Sequence, residues 1–123
     1  MAKSAFKLKI LYGEGDKQVL SSQATLIQNA GHQVEQAVGR KSVEEALRRG
    51  TFDLVILGGT LSKDDRHHLP YMVKKAHPGT RVLVIHSSGR HPEVDATFEA
   101  GRSIESLLET IAGLISQEAV AAR

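Results

Sequence analysis

The stretch that decides the fold is Phe52-Asp53-Leu54-Val55-Ile56-Leu57, which is followed by Gly58-Gly59. Its unbroken apolar end, residues 54–57, is typical of a strand buried on both faces, as in a parallel sheet covered by helices. A glycine pair directly after such a run indicates a turn. The sequence therefore predicts a central parallel strand that ends at Gly58.

Working outward from this strand, short apolar runs alternate with amphipathic segments. Asp16 is placed to cap a helix after the first strand. Pro70 and Pro92 are each placed at the first turn of a helix, and the second of these helices includes Phe98. We expect the other strands at residues 6–12, 33–38 and 81–85, a helix at 71–76, and a final helix at about 103–118 with a frayed tail.

Alternating strands and helices predict the fold class. The order β-α-β-α-β-α-β-α-α favours an α/β protein with a parallel sheet, helices on both faces and right-handed crossovers. This is a doubly wound, flavodoxin-like arrangement. A chain of 123 residues fits one such domain, spanning residues 1–123.

Composition excludes several classes of function. The formal net charge is only +2 and 4% of the residues are aromatic, so we expect no nucleic-acid partner. No apolar run approaches the ~20 residues of a membrane span, and the N-terminus lacks the pattern of a signal peptide. The chain has no cysteine, which fits a cytoplasmic protein and excludes a thiol nucleophile.

In the order of its segments the chain resembles a response-regulator receiver domain of the chemotaxis-regulator type. The resemblance covers nearly the whole chain. It implies two-component signal transduction or a phosphorelay, and a sheet ordered 2-1-3-4 through the four predicted strands. The matching segments are residues 9–16, 31–34, 44–47, 52–57, 81–85 and 98–101.

The departures from this family fall on its chemistry. The resemblance implies a phosphoacceptor aspartate where this chain has Gly58, and a second metal-binding acid where Gly15 follows Glu14. His86 stands at the position of a hydroxyl residue. Gly101 leads almost directly into the final helix, so the fifth strand and its lysine are expected to be missing. Glu14, Gly15, Gly58 and His86 would then be the remains of a phosphorylation pocket that has no catalytic residues, no metal and no cofactor.

Other sites can be considered for some of the same residues. Gly58 and Gly59, together with Ser87, could form a backbone nest for an anion at the carboxyl edge of the sheet. The turn at 13–18 is a partial dinucleotide fingerprint, and a strand-to-helix turn with a cap is the simpler interpretation. The histidines of the middle third suggest a metal site only weakly, and no nucleophile–base arrangement can be defended.

The hypothesis that these features favour is a pseudo-receiver. It would act by protein–protein interaction and would not be an enzyme; the alternative is a module that binds a small ligand or anion. Its partner would be another signalling protein, a second copy of itself, or both. Without a fifth strand, β-strand four would be an apolar edge open to pairing. We therefore expect a homodimer through this strand and the C-terminal helices, with an interface at Val82, Val84, Phe98, Leu107 and Ile111.

Overall fold

The computed structural model describes residues 8–85, 96–98, 106–111 and 113. From residue 9 to residue 85, strands and helices alternate as the sequence predicts, and residues 106–111 and 113 are helical. The elements are β1 (Lys9–Glu14), α1 (Lys17–Asn29), β2 (Gln33–Val38), α2 (Gly39–Arg49), β3 (Leu54–Leu57), α3 (Lys63–Ala76), β4 (Arg81–Ile85) and β5 (Ala96–Phe98).

All neighbouring strands pair in parallel, in the order β2-β1-β3-β4-β5. The predicted order 2-1-3-4 is confirmed, and so is the flavodoxin-like α/β class. The strand 54–57, whose residues are all buried, lies in the middle of the sheet. Its apolar side chains alternate between two core layers, which is why the run carries no polar residue.

The two core layers lie on opposite faces of the sheet. On one face α1 packs with the helical residues Leu107 and Ile111 against Ile10, Leu54 and Ile56. On the other face α2 and α3 cover the alternate strand residues, which are Leu11, Val55, Leu57, Val82 and Val84. The period of two along each strand distributes these side chains between the faces, and helices on both faces complete the doubly wound arrangement.

Helix α1 begins where the sequence predicts, whereas α3 does not. The Asp16 side chain accepts hydrogen bonds from the N–H groups of Gln18 and Val19, which is the predicted cap. Helix α3 begins at Lys63, seven residues before Pro70, and Ser62 caps it. The predicted start at Pro70 is therefore wrong. A proline removes one intrahelical hydrogen bond, and here the serine cap, the acids of the first turn and the buried proline ring favour the longer helix.

The prediction that the fifth strand is missing is wrong. Residues 96–98 form β5, which pairs with β4 in the register Leu83↔Ala96, Val84↔Thr97 and Ile85↔Phe98. The sequence suggested a helix there because Val94 and Phe98 are four residues apart. That spacing suits a helical turn, but as an even number it also suits an alternating strand.

The homodimer interface predicted on β4 is also wrong. β4 is paired with β3 on one side and β5 on the other, so it is not an open edge. Val82, Val84, Leu107 and Ile111 are at most 2% exposed and belong to the core. The side chain of Phe98 lies outside the described residues. None of the helices in the described ranges is long and apolar enough to cross a membrane.

Candidate functional site

The carboxyl ends of β1 and β3 meet in the middle of the sheet, and the candidate site lies there. These strands are parallel neighbours in the register Gly13↔Leu57. The N–H of Gly58 continues the ladder by donating to the carbonyl oxygen of Gly13 at 2.7 Å. Glu14 and Gly58 are therefore brought side by side, as the sequence predicts for two residues that end adjacent parallel strands.

The Glu14 carboxylate is buried and held by three donors. Glu14 is only 2% exposed. Oε1 accepts from the Thr60 N–H at 3.0 Å and from the Thr60 hydroxyl at 2.6 Å. Oε2 accepts from the Tyr12 hydroxyl at 2.5 Å. A buried carboxylate requires such partners, because burial without them costs several kcal/mol, in order of magnitude.

The hydroxyl of Thr60 joins two turns. While it donates to Glu14, it accepts from the N–H groups of Gly15 and Asp16, each at 2.9 Å. One donor and two acceptor positions are the full capacity of a hydroxyl. The β1–α1 turn and the β3–α3 turn are thus linked through a single oxygen atom.

The two glycines of this site are required by close contacts. An ideal β-carbon built on Gly58 would lie 1.8 Å from Cδ of Glu14 and 2.0 Å from each carboxylate oxygen. A β-carbon on Gly15 would lie 2.2 Å from the backbone oxygen of Thr60. Neither position has room for a side chain in this arrangement. The space that a residue at 58 would use for its side chain is filled by the carboxylate of Glu14.

Tyr12 contributes a buried hydroxyl that stays protonated. Burial raises its pKa far above the usual value, and the hydrogen bond to the carboxylate of Glu14 raises the pKa further. The residue is 0% exposed. Because the neutral phenol is favoured, the hydroxyl remains a donor to Glu14 over the whole physiological range of pH.

The other acid of this edge is engaged elsewhere. Oδ1 of Asp16 accepts from Gln18 N–H at 2.8 Å and from Val19 N–H at 3.1 Å. In the described ranges, no three His, Cys, Asp or Glu residues are grouped so that they could hold a metal ion. His86 and Ser87 lie outside the described residues.

The anion nest predicted at Gly58, Gly59 and Ser87 needs revision. The Gly58 N–H is taken up by the sheet ladder, and the neighbouring Thr60 N–H binds the carboxylate of Glu14. The turn therefore does bind an anion, but one supplied by the same chain. The partial dinucleotide fingerprint is a capped strand-to-helix turn, and a β-carbon on its first glycine, Gly13, would meet a Val43 methyl at 2.6 Å.

Sequence reasoning missed Tyr12 and Thr60. A signal was present for Tyr12, which precedes Glu14 by two residues and so shares its face of β1. Thr60 follows Gly58 by two residues, but only the bend of the turn brings its hydroxyl back to β1. That bend is not visible in a linear pattern.

Neither a protein-family model nor a curated protein matches the chain. Solved structures do match it. A two-component response regulator from Clostridium difficile is 15% identical with a TM-score of 0.79, over 91% of this chain and 98% of that one. A CheY-like receiver domain protein from Methanospirillum hungatei JF-1 is 19% identical with a TM-score of 0.74, over 92% and 98%.

Two further structures show the same similarity. The receiver domain of the hybrid histidine kinase CckA is 23% identical with a TM-score of 0.73, over 86% of this chain and 97% of that one. NtrX from Brucella abortus, solved in complex with ATP, is 17% identical with a TM-score of 0.79. The match covers 95% of this chain and only 29% of the NtrX chain. At these identities the comparisons show that the chain has the fold of receiver domains.

Proposed function

We propose that this protein is a receiver-like signalling domain that works without aspartyl phosphorylation. The observation that carries the proposal is the position of the Glu14 carboxylate, which fills the space next to Gly58 where the fold's resemblance places a phosphoacceptor. Gly58 has no nucleophile, and its neighbour Glu14 excludes a side chain there. The pocket is therefore filled as well as lacking its acceptor.

Magnesium chemistry is disfavoured by the same contacts. Magnesium takes hard oxygen ligands in near-octahedral geometry, and phosphoryl transfer needs it to neutralise charge on the transferred group. Both oxygens of Glu14 already accept hydrogen bonds, and Oδ1 of Asp16 caps α1. A metal at this edge would have to share these carboxylates with the donors that already hold them. We accordingly propose a protein that is not an enzyme and has no bound cofactor.

For such a domain, protein–protein interaction is the mode of action that we propose first. We propose that its partner is another signalling protein of a two-component system or phosphorelay in the cytoplasm. If the filled pocket does not respond to a phosphodonor, as this proposal requires, the interaction should be constitutive. A homodimer through β4 is not part of the proposal, because that strand is paired on both sides.

The alternative is a module that binds a small ligand or anion at the carboxyl edge, with Gly59 and Ser87 among its contacts. The Thr60 N–H and hydroxyl do form the kind of donor pair that binds an anion. Any external anion must compete with Glu14, which is tethered beside them. This ranks the alternative second.

A titration with beryllofluoride and magnesium, monitored by NMR amide shifts, tests the proposal. We expect no saturable shift at Glu14, Gly58 or Thr60, and no covalent adduct by mass spectrometry after incubation with acetyl phosphate. The amide of Gly79, which is exposed and remote from the site, controls for general salt effects. Saturable shifts confined to the site, or a phosphorylated product, would refute the proposal.

A further inference from the structure

Three donors converge at the carboxyl end of β1 and β3 in a way that suits a carboxylate. The Thr60 N–H and hydroxyl reach one oxygen, and the Tyr12 hydroxyl reaches the other. Tyr12 is fully buried and belongs to β1, which is paired with a strand on each side. A donor set that serves both oxygens of a planar group is more selective than a single helix end or an exposed cation.

The Glu14 carboxylate, which accepts from these donors, belongs to β1, whereas two of the donors belong to the β3–α3 turn. The carboxylate therefore cross-links the turn to the strand. Because the Thr60 hydroxyl also accepts from Gly15 and Asp16, the position of that turn fixes the β1–α1 turn as well. If the carboxylate is removed, the Thr60 N–H and the Tyr12 hydroxyl lose their acceptor together.

We propose that Tyr12 and Thr60 form a carboxylate-binding site, that Glu14 is its built-in ligand, and that occupancy of the site holds the two turns in one conformation. The inference rests on the proposed function, because a free phosphoacceptor pocket would leave no place for this ligand. The ligand class is a small monocarboxylate. In Glu14→Ala the lost atoms are a methylene and a carboxylate, which together correspond to acetate.

Hydrogen exchange and acetate binding in Glu14→Ala test the site. In this variant we expect the Gly15, Asp16 and Thr60 amides to exchange about tenfold faster than in the natural protein, since each relies on the lost arrangement. Titration with sodium acetate should restore slow exchange in a saturable manner and shift the Thr60 amide. Sodium chloride at equal ionic strength should do neither.

Two matched variants separate the site from general loosening. Glu14→Ala/Thr60→Val keeps the shape of residue 60 but removes its hydroxyl, and should not respond to acetate at the Gly15 and Asp16 amides. Glu14→Gln keeps the size of the side chain and an acceptor for Thr60, so its exchange rates should lie between those of Glu14→Ala and the natural protein. The natural protein, whose site is occupied, should not respond to acetate.

Several results would overturn the inference. One is a folded Glu14→Ala variant whose three amides exchange at the natural rate; another is the absence of any saturable effect of acetate on them. An equal response to acetate in the double variant would show an adventitious contact. If Glu14→Ala fails to fold, the same exchange measurements on Glu14→Gln decide, because exchange at the natural rate in that variant would contradict a ligand whose charge matters. None of these results depends on beryllofluoride binding by the natural protein, which tests the proposed function separately.

Discussion

A β-carbon on residue 58 would lie 1.8 Å from the carboxyl carbon of Glu14, so a side chain at Gly58 requires that carboxylate to move. One residue ends β1 and the other follows β3, and parallel pairing fixes both backbones. The contact can therefore be relieved only by moving the glutamate side chain. That movement would break its hydrogen bonds to Thr60 and Tyr12.

Substitution at Gly58 should destabilise the protein. We expect Gly58→Ala and Gly58→Asp to lower the free energy of unfolding by about 1–3 kcal/mol, the usual range for overpacking, with Asp at or above the upper end because it brings two carboxylates together. Urea denaturation measures the change. Gly79→Ala is the matched control, since a β-carbon there meets nothing within 4 Å. It should be neutral or slightly stabilising.

Shortening Glu14 should partly rescue the substitution at Gly58. In Gly58→Ala/Glu14→Ala the obstructing carboxylate is gone, so the double variant should be more stable than the sum of the two single effects predicts. Neighbours that share a cavity commonly show coupling of about 0.5–3 kcal/mol. Strict additivity in a double-mutant cycle would show that the two residues do not obstruct each other.

A substitution at Gly15 should not be rescued by a second substitution, because the β-carbon it adds would collide with a backbone atom. A β-carbon there would lie 2.2 Å from the Thr60 carbonyl oxygen. We expect Gly15→Ala to lower the free energy of unfolding by about 1–3 kcal/mol. The further change Thr60→Val should give no rescue, because the carbonyl oxygen remains. Recovery of stability in that double variant, measured by urea denaturation, would be inconsistent with the contact.

Tyr12 should make the protein sensitive to alkali. Burial, together with the hydrogen bond to Glu14, raises its pKa above the ordinary value of 10.0. The contribution of protonated Tyr12 to the free energy of unfolding is fully present below pH 10. It is lost as the pH rises above 10, because the unfolded chain then releases a proton that the folded chain retains. Tyr12→Phe should cost about 1 kcal/mol at pH 7 and flatten the loss above pH 10. Unfolding curves at several pH values compare the two proteins, and parallel alkaline profiles would argue against the buried phenol.

His32 should make the stability of the protein depend on pH in the acidic range. Its Nδ1 accepts from the Leu8 N–H at 3.2 Å, and burial lowers its pKa below the ordinary 6.5. The contribution of neutral His32 to the free energy of unfolding is fully present above pH 6.5. It is lost as the pH falls toward the pKa of His32 in the folded protein, because the unfolded chain binds the proton first. His32→Asn supplies an acceptor that does not titrate in this range. The difference in unfolding free energy between the two proteins should therefore change between pH 7 and 5, and a constant difference would contradict the assignment.

The helical residues near the C-terminus should contribute to the core. Leu107 is 2% exposed and packs in the same cluster as Ile10 and Ile56. We expect Leu107→Ala to lower the free energy of unfolding by about 2–5 kcal/mol. Glu109→Ala, at an exposed position of the same segment, should change it by no more than about 0.5 kcal/mol. Equal effects of the two substitutions in urea denaturation would mean that the segment is not packed as described.

The sequence predicted the parts of the fold that depend on local pattern. The short unbroken apolar run 54–57, followed by two glycines, is typical of a strand buried on both faces, and its place at the centre of the sheet is confirmed. Asp16 caps α1 because its carboxylate can reach free N–H groups only two and three residues away. Such interactions span a few residues and so are visible in the sequence.

The errors have a common cause in packing between distant segments. Strand β5 has three residues, and its pairing with β4 rather than its own pattern selects the strand. Pro70 lies inside α3, where burial of the ring offsets the lost hydrogen bond. Glu14 and Gly58 lie at the sheet edge where the sequence placed them, but the contact between them was not predicted. Thr60 lies 46 residues from Glu14 in the sequence, and only the folded turn shows that the two side chains are hydrogen-bonded.

The close fit of Glu14 against Gly58 also bears on how such a domain could change by mutation. An aspartate introduced at position 58 alone would collide with the carboxylate of Glu14. A shorter residue introduced at position 14 alone would leave Tyr12 and Thr60 without their acceptor. Each first step toward a phosphorylatable domain therefore passes through a less stable protein. The two positions would have to change together, so an aspartate at position 58 is difficult to reach one substitution at a time.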